Sequence, residues 1–459
     1  MEVNIQVSEP RRGGEFADVR LIYTDTDGKK RSVPAGIDFR PLNDFSKDLT
    51  SLAFDFFFVS TLVYCIDNLL ERESYSVDGW AREIKVEIPV YNNAAWDKSK
   101  VDFEELICFL TGDYWSVSFS KLAITTPFKE LKGRWKHLIP SYAYDEYAFA
   151  SLFSGGLDSL VGVINELENL PANKKGLLIS HYDGTSPGTN SDQERLFKYL
   201  QSKYPHKFDW VQEAVSLSPN DESGDEIPKE PSFRSRSLLF ASIGIFCLQK
   251  VPNCDTLIIP ENGTISLNYP LTPSRSSTLS TRTTHPYYIN SLNRFLLKIG
   301  FTTQVINPYD ELTKGELVET CGNSTVLSGI YAESVSCGKR GRKMNWDTKI
   351  GTRHCGVCMP CIYRRAALHK IGLDTQLYGT DIFSTAKEIK TIPEMPALID
   401  FLRRELTPEQ IKRTLLVNGS FAIADLDKFA ELVINVRTEL KEWIRAKGDD
   451  KLKKQFGLT

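Results

Sequence analysis

The stretch Ser151-Leu-Phe-Ser-Gly-Gly-Leu-Asp-Ser-Leu160 decides the fold of this chain. An apolar run stops at Ser154-Gly-Gly-Leu-Asp-Ser159, and a helical pattern of apolar residues begins at Leu160. The pattern predicts a buried strand, a glycine turn and the start of a helix. Two adjacent glycines allow close approaches that a Cβ atom would forbid, so successive N–H groups can surround an anion at the positive end of the helix. The segment is therefore a candidate phosphate cradle.

Two other interpretations of this segment are weaker. A Walker phosphate loop requires Gly-Lys-Ser/Thr after four free positions, and the chain contains no such run. An ordinary glycine-rich turn capped by Asp158 or Ser159 is the plainer alternative. The ordered Ser-Gly-Gly-x-Asp-Ser resembles the pyrophosphate loop of the PP-loop ATP pyrophosphatases. The resemblance implies cleavage of ATP between its α and β phosphates and activation of a carbonyl or carboxylate oxygen as its adenylate.

Length and composition favour a protein of several domains. At about 150 residues per domain, the 459 residues predict two or three domains. Lys and Arg number 56 against 59 Asp and Glu, and this balance disfavours a nucleic-acid partner. The N-terminus lacks a secretory pattern, and the longest apolar run, 54–63, is too short to span a bilayer. We therefore expect a cytoplasmic protein without a membrane partner, with its nine cysteines reduced.

Three regions are predicted from the alternation of patterns. Residues 1–145 carry no phosphate loop and are predicted to form an accessory α+β module. From 146 to 371, strands and helices alternate, which predicts an α/β domain with a parallel sheet and crossover helices. Residues 372–459 are helical by pattern and are expected to pack on the central domain or to receive a partner. The polar, acidic segment 216–231 is predicted to be a mobile loop over the site.

A candidate substrate pocket follows the strand predicted at 256–259. Ligands bind at strand ends in open α/β sheets, and a long polar loop at 264–284 follows this strand. A solvated loop is the plain interpretation of that segment. In the functional interpretation, the residues that line the pocket for the molecule being activated are Glu261, Asn262, Arg282, Thr283 and His285. Lys314 starts a later helix, where an unpaired cation opposes the helix dipole and a bound phosphate would remove the conflict.

The cysteines indicate a metal site. Cys355-Gly-Val-Cys358-Met-Pro-Cys361 brings three thiolates together, and Cys337 can complete four soft ligands, as tetrahedral zinc requires. An iron–sulfur cluster uses similar ligands, and unligated core cysteines are the plain alternative. Four of the nine cysteines lie between positions 337 and 361, which disfavours the plain alternative. Zinc is preferred over iron–sulfur because the protein fills all four ligand positions.

An ordered set of motifs carries a family resemblance over about residues 147–370. The set comprises the loop Ser154–Ser159, Arg236 heading an apolar helix with Phe240, Tyr269-Pro270, Thr313-Lys314-Gly-Glu316, and the cysteine knuckle followed by Arg364. It resembles the 7-cyano-7-deazaguanine synthase (QueC) family. The resemblance implies adenylation of 7-carboxy-7-deazaguanine with ATP and Mg²⁺, amide formation with ammonia, dehydration to the nitrile, and a four-cysteine Zn²⁺ site.

The chain also departs from that family. The segment Tyr182-Asp-Gly-Thr-Ser-Pro-Gly188 replaces the family's Asp-Tyr-Gly-Gln-Arg stretch, and the loop after Pro270 is longer. The N-terminal module and the tail after residue 372 have no counterpart in the short biosynthetic enzymes. The layout is more similar to QueC-like proteins of bacterial antiphage operons, the QatC type in particular. That branch implies coupling of an activated deazaguanine to the N-terminal amine of a partner protein encoded in the same operon.

The expected chemistry assigns roles to these residues. The resemblance implies an ATP-dependent, AMP-forming or ADP-forming ligase or synthase of the PP-loop class. The expected ATP-binding residues are Ser154, Gly155, Gly156, Leu157, Asp158 and Ser159. The expected catalytic residues are Asp158, Ser159, Arg236 and Lys314, with Asp158 also a candidate Mg²⁺ ligand and the two cations neutralising phosphate charge.

Alternative functions remain at this point. A nitrile synthase that uses ammonia fits the same resemblance. A PP-loop tRNA thiolase would need a catalytic cysteine near the ATP and a basic tRNA surface. A non-catalytic scaffold would not need Asp158 and two adjacent glycines.

Overall fold

The structure is a computed structural model. It describes residues 1–10, 14–46, 48–125, 127–128, 140–184, 189–272, 282–340, 343–419 and 421–458. The strands are β1 Glu2–Ser8, β2 Asp18–Thr24, β3 Lys30–Asp38, β4 Glu83–Val90, β5 Tyr114–Lys121, β6 Tyr147–Leu152, β7 Lys175–Tyr182, β8 Phe208–Leu217, β9 Thr256–Ile258 and β10 Gln304–Ile306.

Helices flank these strands. They are α1 Arg40–Asn43, α2 Leu52–Leu69, α3 Arg72–Tyr75, α4 Asn93–Thr111, α5 Leu157–Glu168, α6 Thr189–Lys203, α7 Arg236–Leu248, α8 Gly263–Leu267, α9 Pro286–Ile299, α10 Lys314–Glu319, α11 Ser324–Ser328, α12 Met359–Lys370, α13 Met395–Arg403, α14 Pro408–Asn418, α15 Leu426–Lys447 and α16 Asp450–Phe456. The last four form the helical C-terminal region that the sequence pattern predicts.

Within the described residues, the strands form one mixed sheet in the order β10-β9-β6-β7-β8-β3-β2-β1-β4-β5. The five strands from β10 to β8 are all parallel, and helices connect them along the chain. The predicted α/β class with a mostly parallel sheet is therefore confirmed. Because β6 lies between β9 and β7, the turn after β6 opens at the centre of the parallel half, at its carboxyl edge.

The N-terminal strands extend this same sheet. Strand β3 pairs antiparallel with β8, from Ala35 opposite Leu217 to Asp38 opposite Ala214. Strands β1 to β3 are antiparallel to one another, whereas β4 and β5 run parallel to β1. A domain boundary at residue 145 stays a prediction, but the strands on its two sides belong to one sheet.

Helix α2 fills the space between the N-terminal and central parts. It is long and apolar enough to cross a membrane by length and composition alone, but 94% of it is buried inside the protein. Its Phe57 packs on Phe246 of α7, with ring centroids 6.0 Å apart. A buried helix that is apolar on all sides is typical of the core of a folded domain. The apolar run 54–63 is thus the centre of a longer core helix.

A buried ion network joins the N-terminal strands to the start of α7. Arg82 is 0% exposed, and its Nη2 lies 2.6 Å from Asp113 Oδ2 and 2.5 Å from Asp67 Oδ1. Arg72 Nη1 lies 2.6 Å from the other oxygen of Asp113. Asp67 Oδ2 in turn accepts hydrogen bonds from the N–H and hydroxyl of Ser235, at 2.9 and 2.7 Å. The network therefore fixes the residue that precedes α7.

The segment 216–231 differs from its prediction as a mobile loop over the site. The N–H groups of Ser218 and Glu222 donate to carbonyls of β3 at 2.9 Å. Arg31 of β3 pairs with Asp221 at 2.9 Å. The acidic residues of this segment therefore have a basic partner on the sheet, and the segment packs against β3.

Glu213 of β8 is a buried carboxyl group that, unlike Asp221, forms no ion pair with Arg31. It is 0% exposed, and in the described part of the chain neither of its carboxylate oxygens has a hydrogen-bond partner. Burial raises its pKa well above the usual value; the charge of Asp38 adds to this effect and Arg40 opposes it. Glu213 is thus held in its neutral form near neutral pH.

The ion network yields a first prediction. Arg82→Met should lower the free energy of unfolding by about 3–5 kcal/mol, because Asp67 and Asp113 remain buried without their main cation. Urea denaturation followed by circular dichroism measures the loss. Lys85→Gln, three residues further along the chain in β4, is the control, since the Lys85 side chain is 71% exposed and its change should stay within about 0.5 kcal/mol. Similar losses at both positions would contradict the role of the network.

Glu213 yields a second prediction. The pKa of Glu213 is higher in the folded state than the usual glutamate value of 4.5. Below pH 4.5 the carboxyl group is protonated in both states and does not oppose folding. As the pH rises from 4.5 toward the folded-state pKa, the free energy of unfolding falls. Glu213→Gln should remove this pH dependence and raise stability at pH 8 by at least about 1 kcal/mol. Urea titrations at pH 5 and pH 8 measure both effects, with Glu431→Gln on the exposed side of α15 as control. An unchanged slope in Glu213→Gln would contradict the assignment.

Candidate functional site

The glycine turn between β6 and α5 has the predicted strand–turn–helix geometry. Gly155 has a φ of +87°, a conformation that residues with side chains rarely adopt, and a Cβ there would lie 3.2 Å from Gln193 Cγ. Gly156 is the N-cap of α5, and among the residues that the structure describes no side chain caps the helix. The first three N–H groups of α5, those of Leu157, Asp158 and Ser159, have no acceptor within the helix. The capped-turn alternative therefore lacks its cap.

Two hydroxyls add to these donors. Ser154 Oγ and Ser159 Oγ are 3.1 Å apart, and the N–H of Gly156 donates to Ser154 Oγ at 3.3 Å. Ser159 Oγ also donates to the carbonyl of Gly156 at 3.2 Å. The turn thus presents hydroxyl and N–H groups together at the positive end of a helix, which is a geometry that can bind a phosphate.

A buried charged cluster lies beside the turn. Lys314 Nζ is 2.6 Å from both carboxylate oxygens of Asp158, and the two residues are 3% and 6% exposed. Asn262 Nδ2 donates to Asp158 Oδ2 at 2.8 Å and to Glu261 Oε1 at 3.2 Å. Lys314 is therefore not the unpaired cation that the sequence pattern predicted, because Asp158 is its partner. Thr313 caps α10 in a capping box with Glu316.

The charges in this cluster depend on one another. Burial opposes ionisation of Asp158, but the Lys314 ammonium and the hydrogen bonds from Glu261 and Asn262 lower its pKa below the usual value. Burial and the Asp158 charge together raise the pKa of Glu261 well above its usual range. Glu261 therefore keeps its proton near neutral pH and shares it with Asp158. The cluster holds one cation, one anion and one neutral carboxyl group.

Arg236 is connected to the turn through hydrogen bonds that involve His181 and Gln193. Its Nη2 donates to the carbonyl of His181 at 3.1 Å, at the end of β7. Gln193 Nε2 donates to that same carbonyl at 3.2 Å and to the carbonyl of Ser154 at 3.3 Å. The sequence analysis missed Gln193 because it lies on α6, and its contact with the turn depends on how α6 packs.

The structure places the other predicted substrate residues elsewhere. Arg282 Nη1 donates to the carbonyl of Phe109 at 3.0 Å, and its guanidinium lies 4.5 Å from the centroid of that ring. His285 also packs on Phe109 and on Phe421, with centroids 5.3 and 5.0 Å apart. Burial lowers the pKa of His285 to about 3, so the imidazole is neutral. Thr283 lies between Arg282 and His285 in the chain, and residues 273–281 lie outside the described part.

A chain of polar contacts connects this second group to the first. Ser266 Oγ donates to the hydroxyl of Thr284 at 3.1 Å, and Asn307 Nδ2 donates to Ser266 Oγ at 3.0 Å. Asn307 Nδ2 also donates to the carbonyl of Glu261 at 2.7 Å. Of the five predicted substrate residues, Glu261 and Asn262 are therefore in the Asp158 cluster, whereas Arg282 and His285 contact aromatic side chains beyond it.

The four predicted metal ligands come together. The Sγ atoms of Cys337, Cys355, Cys358 and Cys361 all lie within 4.8 Å of one another. Backbone N–H groups point at the sulfurs, from Cys355 to Cys337 Sγ and from Cys358 to Cys355 Sγ, each at 3.2 Å. Such donors stabilise thiolates. The cluster can bind a metal such as zinc, for which four sulfur ligands are a common structural site.

The metal site yields a third prediction. We expect about one zinc ion per chain by elemental analysis, and Cys358→Ser should lose it, because three thiolates hold Zn²⁺ less tightly than four. Cys321→Ser is the matched control, since Cys321 is a half-buried cysteine outside the cluster. An iron–sulfur absorbance in anaerobically purified protein would show that zinc is the wrong metal, and an equal metal content in both variants would exclude the site.

No protein-family model, curated protein or solved structure matches this chain.

Proposed function

We propose that this protein binds ATP at the turn Ser154–Ser159 and activates a carboxylate as its adenylate, with release of pyrophosphate. One observation carries the proposal: the buried Asp158–Lys314 pair lies beside a glycine turn that presents N–H groups at the start of α5. Both lie at the carboxyl edge of a parallel sheet, where α/β proteins bind nucleotides. A PP-loop ATPase combines these features.

Lys314 can serve Asp158 and a phosphate at the same time. An ammonium group has three donors, and the two contacts with Asp158 occupy two of them. The third can reach an oxygen of the departing pyrophosphate and stabilise the charge that develops there. Arg236 supplies a second cation from α7, and its planar guanidinium suits phosphate oxygens.

The carboxyl groups of Asp158 and Glu261 suit Mg²⁺, which prefers oxygen ligands. A bound Mg²⁺ would neutralise charge on the phosphates and would favour ionisation of Glu261, whose pKa burial and the Asp158 charge raise. Within the described residues, the three knuckle cysteines lie together with Cys337 in the four-cysteine cluster. This arrangement disfavours a tRNA thiolase that would use one of these cysteines as its catalytic residue. The uncapped glycine turn beside the Asp158–Lys314 pair favours an enzyme over a non-catalytic scaffold.

The substrate and the acceptor are proposed from the family resemblance. A carboxylate oxygen of 7-carboxy-7-deazaguanine attacks the α phosphate of ATP, and the bond to the β phosphate breaks. An amine then attacks the acyl carbon, loses a proton and displaces AMP, which leaves an amide. We propose the N-terminal amine of a partner protein from the same operon as the acceptor. With ammonia instead, dehydration of the amide would give the nitrile.

The fourth prediction tests the activation step. ATP–pyrophosphate exchange should depend on the carboxylic acid and on Mg²⁺, and Lys314→Met should lower its rate by about 10²–10³-fold, because a preorganised charge is lost. Lys428→Met is the matched control, on the half-exposed side of α15. Thermal melts of both variants check folding, and an Asp158→Leu/Lys314→Met double variant removes the unpaired carboxylate. Undiminished exchange in folded Lys314→Met protein would refute the proposed role.

The acceptor is tested by mass spectrometry. The enzyme is incubated with ATP, Mg²⁺ and 7-carboxy-7-deazaguanine, once with ammonia and once with the operon-encoded partner, and the partner is weighed intact. A mass gain equal to the acid minus one water supports conjugation. No gain together with conversion of the free acid to the nitrile identifies a nitrile synthase.

A further inference from the structure

One short segment lies between the phosphate turn and the cysteine cluster. The N–H of Val335 donates to the carbonyl of Gly155 at 2.9 Å. The N–H of Leu157 lies 3.5 Å from Ser336 Oγ, at the limit of a hydrogen bond. The next residue is Cys337, a predicted metal ligand. Residues 335–337 therefore connect the two sites directly.

The cysteine-bearing elements hold this segment from the other side. Arg364 of α12 is 0% exposed, and its guanidinium donates to Ser334 Oγ at 2.9 Å and to the carbonyl of Tyr331 at 2.6 Å. Helix α12 itself starts directly after Cys358 and carries Cys361. The N–H of Ser336 donates to His354 Nε2 at 3.4 Å, next to Cys355. The position of Ser336 thus depends on the arrangement of the four cysteines.

The same segment also brings a cation to α6, the helix whose Gln193 contacts the turn. Arg340, three residues after Cys337, donates to Asp192 Oδ1 at 3.0 Å. Asp192 precedes Gln193, whose side chain packs on Gly155. Arg195 pairs with Asp192 as well. Arg195 also pairs with Glu333, and Glu333 in turn pairs with Arg353. Three guanidinium groups therefore share two carboxylates in this network, which leaves one positive charge in excess for an anion.

We propose that residues 335–340 form the second wall of the anion site, and that the metal held by the four cysteines sets the position of this wall. Ser336 is then a phosphate-positioning residue. The Ser336 hydroxyl lies 3.5 Å from the N–H of Leu157. A phosphate oxygen can replace this hydroxyl as the acceptor of that N–H. A hydroxyl can both accept and donate, so Ser336 can turn to donate to that oxygen. The inference rests on the proposed function in taking the anion to be the phosphate chain of ATP.

Coupling between the two sites must be reciprocal. If bound metal raises the affinity for the anion by some factor, bound anion raises the affinity for the metal by the same factor. Without the metal, the four cysteines no longer hold Cys337 against α12. Residues 335–340 then lose the restraint that lies next to Ser336. A cluster that served stability alone, remote from the turn, would show no such reciprocity.

The fifth prediction measures anion affinity in full-length, metal-loaded protein. Isothermal titration with a non-hydrolysable ATP analogue and with pyrophosphate should show affinity about tenfold weaker in Ser336→Ala, because a hydrogen bond to a charged group is lost. Metal content per chain should not change. Ser328→Ala is the matched control, an exposed serine on α11 that should bind as the unmodified protein does.

Metal release gives a second readout. A chromogenic chelator is used to follow metal loss with and without pyrophosphate. Pyrophosphate should slow the metal loss in the unmodified protein, and it should slow the loss less in Ser336→Ala. Equal anion affinity in Ser336→Ala, or metal loss that pyrophosphate does not change, would overturn the inference while leaving the proposed function intact. Absence of any ATP or pyrophosphate binding in metal-loaded protein would refute both. Binding and coupling without ATP–pyrophosphate exchange would refute only the adenylation.

Discussion

The buried pair of Asp158 and Lys314 places strong demands on the surrounding structure. Two charges removed from water are tolerated only when their geometry is good and other hydrogen bonds satisfy them, as Asn262 does for Asp158. Close packing brings the parts together. A Cβ at Gly162 of α5 would overlap Pro260 after β9, and a Cβ at Gly315 would overlap the Glu439 carboxylate. The glycines of this region thus serve the ion pair as well as the phosphate turn.

The two terminal regions both act on the cations of the site. Glu439 of α15 accepts hydrogen bonds from the Thr313 hydroxyl at 2.7 Å and the Gly315 N–H at 3.1 Å, and so holds the first turn of α10, where Lys314 lies. On the other side, Asp67 of α2 holds Ser235, the residue before Arg236. These contacts give both regions a role in positioning Lys314 and Arg236.

Local patterns predicted what depends on local chemistry. The apolar run, the two glycines and the following helix are neighbours in the chain, and the cysteine knuckle has three of its four ligands within seven positions. Contacts between residues that are far apart in the chain leave no such local pattern in the sequence. Nothing near Lys314 reveals that its partner is Asp158, 156 positions away. In the same way, the acidic segment 216–231 looks solvated until Arg31 is placed beside Asp221. Arg282 and His285 share a polar loop with the predicted pocket, but their aromatic partner Phe109 comes from α4.

The glycine turn Ser154–Ser159 and the cysteine knuckle look independent in the sequence, because about 180 residues separate them. In the folded chain, hydrogen bonds from Val335 and to Ser336 join them. A metal that fixes Cys337 therefore also restrains the residues that face Gly155 and Leu157. Under the proposed function, loss of nucleotide binding on metal removal would not by itself report unfolding, because displacement of residues 335–340 alone would open one side of the site.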